Sequence, residues 1–279
     1  MAEKQTLSLV SIILPAYNEE RFLDKCIISL KKQSYKYIEI IVIDDGSNDT
    51  TSRIALKHNI TLIKTRHGGI GRARNIGIKK AKGTIIVFVD ADMVLHKDYV
   101  NNLIKPILSK QCYGTYTTAE YVANMDKIWA KCWNINVGLK SSDRLKPDVK
   151  ADKSVFRAIL KSKLVPNKRF KVSWGYFDDK SLSFYGFVAR PVHNAICYHY
   201  NPDTLWDVFL SARWIGRSKT FKSDLKNFIR YSVFNSIMIS TKKIFSSKAP
   251  ISFLFFKIIF DFGIINGLLF KNSYQNYAK

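Results

Sequence analysis

Asp90 and Asp92 stand one residue apart, on either side of Ala91, where the apolar run Thr84-Ile85-Ile86-Val87-Phe88-Val89 ends. Two carboxylates this close at the end of a buried strand need a cation to neutralise them. A divalent ion bridging Asp92 to a diphosphate would do so, and would stabilise a departing nucleoside diphosphate. The spacing alone also suits a solvated turn. A second acidic cluster, Asp44-Asp45-Gly46-Ser47-Asn48-Asp49, follows another apolar run. There Asp44 or Asp45 can accept hydrogen bonds from a base or ribose, Gly46 permits a tight turn and Ser47 can cap a helix. Between the two lies His67-Gly68-Gly69-Ile70-Gly71-Arg72-Ala73-Arg74-Asn75, a glycine-rich approach to a helix start. Its backbone N–H groups and guanidinium groups are suited to clamping phosphate. It is neither a P-loop nor a first-strand GxGxxG.

These residues need elements that bring them together. Leu9 to Pro15, Glu39 to Asp44, Ile60 to Ile63 and Thr84 to Asp90 are short apolar runs, expected as strands covered on both faces. Between them, Glu19–Lys32, Asn48–His58 and Arg72–Lys82 carry apolar residues at helical spacing. Strand and helix alternating at this interval predict right-handed βαβ units and a mostly parallel sheet. Ligands of such sheets sit beyond the carboxyl ends of the strands, where Tyr17-Asn18-Glu19, Asp44-Asp45 and Asp90-Ala91-Asp92 all fall. Further on, Tyr113–Tyr121 is expected as a strand, Trp129 and Trp133 lie in a helical stretch, and Lys140–Asp152 is expected as a mobile loop. Val172–Leu182 holds another acidic cluster, Phe184–Tyr200 reads as strands and Asp203–Arg217 as a helix.

The 279 residues include 45 Lys and Arg against 22 Asp and Glu, a formal charge of +23. With 47% hydrophobic residues, the composition excludes wholesale disorder and a polytopic membrane protein. The basic excess implies a polyanionic partner: nucleic acid, an anionic membrane face or a phosphorylated substrate. Aromatic platforms interleaved with the basic residues are missing, and the carboxylates would repel phosphate without a metal, so nucleic acid is not expected. Cys26, Cys112, Cys132 and Cys197 have no metal-finger or CxxC spacing and read as reduced cytosolic thiols. Leu7–Leu14 is too short for a span and lacks a cleavage site, so no secretion signal is expected.

The tail changes character. Pro250–Lys271 is long enough to cross a bilayer but is interrupted by Lys257 and Asp261. Upstream, Phe228, Tyr231, Val233, Phe234, Ile237 and Met238 alternate with Lys and Arg. This pattern predicts helices in the interface plane of an anionic membrane. Packing on the domain, homo-oligomer formation or a true span are the alternatives. The expected organisation is a catalytic domain over 1–220 and a membrane-associating helical segment over 221–279. Expected localisation is cytoplasmic, peripheral on the inner membrane face.

Taken in order, Pro15-x-Tyr17-Asn18-Glu19, Asp44-Asp45-Gly46-Ser47, Ala73-Arg74-Asn75-x-Gly77 and Asp90-x-Asp92 resemble the family 2 inverting glycosyltransferases of the GT-A fold. The resemblance runs from about Leu9 to Arg217 and is strongest to about Tyr99. It implies an α/β GT-A fold, a nucleotide-sugar donor carrying UDP or GDP, and Mn²⁺ or Mg²⁺. By that resemblance Pro15, Tyr17 and Glu19 frame the nucleoside and Asp45 reads the base. Asp90 contacts the ribose or donor sugar, Asp92 holds the metal, and Arg74 assists. Phe177-Asp178-Asp179-Lys180-Ser181-Leu182 is similar to the family's Glu-Asp-x-Asp/Glu-Leu, with Asp178 and Ser181 departing from it; Asp179 aligns with the catalytic base. An inverting transfer to a hydroxyl needs such a carboxylate, and a dry cleft beside Asp178 would raise its pKa. His199 is placed near the diphosphate, as a metal ligand or phosphate partner, with Arg213 and Arg217 downstream. Arg213-Trp214 resembles the end of the processive Gln-x-x-Arg-Trp signature, but Leu210 replaces the Gln, so processive extrusion is not expected. The expected acceptor is a hydroxyl of a lipid-linked or envelope glycan; a polyprenyl phosphate is the alternative.

Overall fold

A computed structural model describes residues 8–139, 142–145, 155–218, 221–247 and 249–270. They cluster into two compact units. The first is built from the described residues within Met1–Ala119, Pro147–Lys171 and Asp179–Cys197, the second from those within Glu120–Lys146, Val172–Asp178 and Tyr198–Lys279.

The first unit opens with β1 (Val10–Ala16), α1 (Leu23–Lys31), β2 (Ile38–Asp44), α2 (Thr51–Lys57), β3 (Thr61–Lys64), α3 (Ile70–Lys80) and β4 (Ile85–Phe88). After β5 (Met93–Leu95), α4 (Tyr99–Leu108) carries Pro106 inside its last turns, and β6 (Gly114–Thr117) follows. Chain order continues with β7 (Glu120–Val122), α5 (Ile128–Val137), β8 (Ala158–Leu160), α6 (Ser181–Phe184), β9 (Arg190–Val192) and β10 (Cys197–His199). The sheet order is β3-β2-β1-β4-β8-β6-β9. The strands β3, β2, β1 and β4 are parallel, β8 runs antiparallel to β4 and β6, and β6 is parallel to β9. This is the mostly parallel sheet expected from the sequence.

Successive side chains of β1 point to opposite faces and both faces are buried, as its unbroken apolar run requires. Val10, Ile12 and Leu14 join Leu23, Cys26, Ile27 and Leu30 of α1 in one core. Ile13 joins Ile41, Ile43 and α3's Ala73 and Ile78 in the other. The chain therefore winds outward through α1 and α2 on one face, then returns through α3 on the other to lay β4 beside β1. Strand order reverses between β1 and β4, and that switch point opens the ligand crevice at their carboxyl ends.

The second unit contains α5, α7 (Leu205–Arg217), α8 (Leu225–Arg230), α9 (Val233–Ser247) and α10 (Ser252–Leu269). Their core holds Cys132, Val208, Ala212, Phe253, Phe256, Phe260 and Ile264. Here α7 and α10 lie backbone to backbone: a Cβ on Gly267 would stand 2.3 Å from the carbonyl oxygen of Arg213. This packing corrects the expected boundary at residue 220. The last helix of the expected catalytic domain and the apolar tail helix share one core, so the division does not follow chain order. Most of the expected loop Lys140–Asp152 lies outside the described residues; within it Asp143 bridges to Tyr121.

Candidate active site

The turns that follow β1 and β2 are stitched to each other. Asn18, held at a φ of 54°, donates its N–H to Ser47 Oγ at 2.9 Å, and its Oδ1 accepts from Asn48 N at 2.9 Å. Glu19 N–H reaches Thr51 Oγ1 at 2.8 Å, while the Glu19 carbonyl accepts from Phe22 and Leu23 at the start of α1. Asp44 is buried, with Oδ1 taking the Ser47 N–H at 2.9 Å and Oδ2 bound by Ser52. Pro15 sits in the parallel ladder opposite Ile43, one residue before the end of β1.

Asp45 is tied to the glycine-rich segment. Its carboxylate is buried and accepts the N–H of Gly68 (3.0 Å to each oxygen) and of Gly69 (2.7 Å to Oδ2). His67 Nδ1 lies 3.0 Å from both the Asp45 carbonyl and Oδ2; both are acceptors, so Nδ1 carries the proton. Gly46, at φ 85°, makes this approach possible, since a Cβ there would stand 2.7 Å from His67 N. Two of the backbone donors of the glycine-rich segment, those of Gly68 and Gly69, are thus turned on Asp45. What Asp45 does is hold His67, whose ring stacks on Tyr17 with centroids 4.0 Å apart and planes at 25°. The paired rings give the mouth of the crevice a flat apolar shelf.

At the end of β4, Asp90 is gripped from two sides. Arg74 Nη2 donates to Oδ1 at 2.8 Å and Arg157 Nη1 to Oδ2 at 2.9 Å. Both arginines are buried. The Arg74 guanidinium also lies over the Phe170 ring, 5.1 Å from its centroid, and Asn75 ties α3 to the Phe170 backbone through two hydrogen bonds. Asp90 therefore has both oxygens engaged, and Arg74 anchors it from α3. Sequence reasoning missed Arg157 altogether: a lone arginine ahead of a three-residue strand carries no local signal.

Ala91 is buried and Asp92 half-buried, and Asp90 C=O accepts from Met93 N to close the turn between them at 3.1 Å. Beneath the turn, Cys26 Sγ lies 3.6 Å from the Asp90 carbonyl. Burial raises this thiol well above its ordinary pKa, and the charges of Asp92 and Asp90 push it higher. The spot is electronegative. Among the described residues no group of three or more His, Cys, Asp or Glu side chains is arranged to hold a metal. With Asp90 committed to arginines, Asp92 is the carboxylate that fits a Mg²⁺- or Mn²⁺-type site completed by phosphate oxygens, the usual arrangement for such ions.

Asp179 completes the constellation. Its Oδ1 is buried and accepts no hydrogen bond. Burial pushes its carboxyl above the ordinary value; Arg74, Lys180 and Arg157 pull it back, and Asp90 adds to the rise. The neighbour that matters is therefore Asp90, in place of the Asp178 expected from the sequence.

Asp178, His199, Arg213 and Arg217 belong to the second unit. Asp178 is buried on a 3-10 stretch, Val172–Lys180, bent at Gly175. That stretch docks on the end of α7: Tyr176 packs edge-on against Trp214 at 5.0 Å, and Ser218 Oγ donates to the Trp174 carbonyl at 2.9 Å. His199, at the end of β10, is buried, and Arg213 and Arg217 lie on the same α7.

Residues 11–166, more than half of the chain, match the family described as Glycosyl transferase family 2. The chain belongs to that family. As a family 2 glycosyltransferase it is 38% identical over 107 residues to the glycosyltransferase GlyA of Streptococcus pneumoniae serotype 4, covering 37% of this chain but 15% of GlyA. The chain thus matches only a small part of that relative's length. Its fold is that of GT-A glycosyltransferases. It superposes on S. aureus TarS residues 1–349, solved with UDP, with a TM-score of 0.55 at 19% identity, over 86% of this chain and 73% of that one. Glucosyl-3-phosphoglycerate synthase of Mycobacterium tuberculosis, solved with Mn²⁺, UDP and glucosyl-3-phosphoglycerate, gives 0.52 at 20% identity, over 75% and 78%.

Proposed function

We propose that this glycosyltransferase moves one sugar, with inversion, from a UDP- or GDP-linked donor to a hydroxyl of a lipid-linked or envelope glycan. One observation carries the reading: Asp179 presents a buried carboxylate oxygen that accepts no hydrogen bond, beside two buried arginines. A buried acceptor left unmade is costly, and an incoming hydroxyl supplies the missing donor. As that oxygen attacks the anomeric carbon, its proton passes to Asp179. The raised pKa makes Asp179 a better proton acceptor than a surface carboxylate. A phosphate acceptor, already anionic, would need no such base, which favours the hydroxyl.

The nucleoside fits the shelf of Tyr17 and His67 next to the switch point of the sheet. Asp92 would hold Mg²⁺ or Mn²⁺ against the diphosphate, and the ion would offset the charge of the leaving group. TarS was solved with UDP and the synthase with UDP and Mn²⁺, which supports a nucleotide donor and a divalent ion here. A ligand that binds only the folded state raises its melting temperature, by about 2.7 kcal/mol of stability at a hundred times Kd. Melting the protein with a panel of UDP- and GDP-sugars, with Mn²⁺ or with chelator, tests the reading. The expected result is a metal-dependent rise with one donor. Finding that no nucleotide sugar shifts the transition, in either condition, would overturn it.

A further inference from the structure

Helix α9 is built inside out. A surface helix normally turns its apolar stripe inward and its polar residues to water. In α9 the fully covered residues are Ser236 and Ser240, each 0% exposed and one turn apart. Ser236 Oγ donates to Asp261 Oδ2 at 2.7 Å, and Ser240 Oγ donates to the Ser236 carbonyl at 2.7 Å. Asp261 in turn holds Lys257 Nζ at 2.5 Å, so the serines face the buried ion pair of α10. The opposite face carries Val233, Phe234, Ile237, Met238 and Phe245, all exposed, with Phe234 at 79% and Phe245 at 86%. They fall at i, i+1, i+4, i+5 and i+12, a single broad stripe along the helix. Exposed apolar stripes of this kind mark a binding surface.

Charge selects what covers it. Lys242 is exposed at the edge of the stripe, and Lys226 and Arg230 are exposed on α8, immediately upstream. The chain as a whole carries +23, so a second copy brought to this face would meet like charge, whereas anionic lipid headgroups would attract it. A bilayer crossing is the other use for apolar helices, and α10 is long and apolar enough for one. Yet half of α10 is buried within the unit, and its two charges, Lys257 and Asp261, neutralise each other there, with Ser236 of α9 donating to Asp261. It is a core helix of the bundle.

We propose that the outward stripe of α9 docks the protein on an anionic membrane surface, with Phe234 and Phe245 entering the acyl boundary and Lys226, Arg230 and Lys242 meeting the headgroups. This is the geometry of an interfacial helix, in which aliphatic stems of lysines lie along the apolar face while their charges stay in water. The docking is independent of the transfer chemistry, so Asp179→Asn should bind membranes like the wild type.

The full chain is tested by flotation with phosphatidylcholine vesicles, and with vesicles in which about a third of the lipid is phosphatidylglycerol. Wild type should float with the anionic vesicles and lose at least about tenfold in binding on neutral ones or in high salt, where surface attraction is screened. The variant Phe234→Ser/Phe245→Ser removes exposed groups only, so its melting temperature should hold while anionic-vesicle binding falls about tenfold or more. Three results overturn the proposal: wild type left in solution with anionic vesicles, a double variant that floats as well as wild type, or a lipid-free dimer that the double variant converts to monomer.

Discussion

Arg157 Nη1 stands 2.9 Å from Asp90 Oδ2, opposite Arg74, which holds the other oxygen of the same carboxylate. The two guanidinium groups fix the side chain at the end of β4 and place two positive charges around Asp179. Arg157→Met removes one of them. The Asp179 carboxyl, already raised by burial, should then rise further, because a cation that favoured its ionised form is gone. A base works only when deprotonated, so the acid limb of the kcat/KM profile should move to higher pH in Arg157→Met. Arg157→Lys, which keeps the charge but loses the planar fork, should lower activity while leaving that limb nearer to wild type. An unmoved limb in Arg157→Met would mean that Arg157 only holds the fold.

Asp45 is bound by its own backbone nest, and its loss should be felt without any ligand. In Asp45→Asn an amide N–H would face the donors of Gly68 and Gly69, leaving buried groups unmade. We expect the unfolding free energy of the free protein to fall by about 1–3 kcal/mol, read as a lower denaturant midpoint. A residue that served only to read a base would leave that midpoint unchanged.

The first four strands, the helices between them and the acidic residues at their ends were legible because each obeys a local rule: an apolar run of strand length, a 3.6-residue stripe, a polar break. Roles that depend on distant partners were not. The hold of Gly68 and Gly69 on Asp45 comes from N–H groups 23 and 24 residues away. The second guanidinium on Asp90 is that of Arg157, 67 residues on, carried there by β8. In the tail, Lys257 and Asp261 were read as obstacles to a bilayer span; four residues apart on one face of a helix, they neutralise each other.

That pair offers its own test. Lys257 Nζ reaches both oxygens of Asp261, at 2.5 and 2.6 Å, and both side chains are buried. Lys257→Met alone should strand a buried carboxylate and cost about 3–5 kcal/mol, whereas Lys257→Met/Asp261→Leu should recover most of it. Thermal denaturation of the two variants checks this; equal losses in both would mean the ion pair is not what the core is built around.

Asp179 should also show a conflict between stability and use. Its folded-state carboxyl is raised, so the unfolded chain loses this proton at lower pH than the folded one, and stability contributed here falls as pH climbs above the ordinary carboxylate range. Asp179→Asn removes that cost. Its melting temperature should match wild type in acid and exceed it near neutrality, a gap that opens above the ordinary carboxylate range and levels off once the folded-state carboxyl is ionised. A variant less stable than wild type at neutral pH would contradict a carboxyl raised by burial.

The same substitution gives the most direct measurement of the chemistry. With the donor identified by thermal shift, sugar transfer and donor affinity are measured side by side in wild type and Asp179→Asn. If Asp179 takes the proton of the acceptor hydroxyl, turnover falls about 10²- to 10⁴-fold while the donor still binds with near wild-type affinity. Transfer at an undiminished rate would contradict the account.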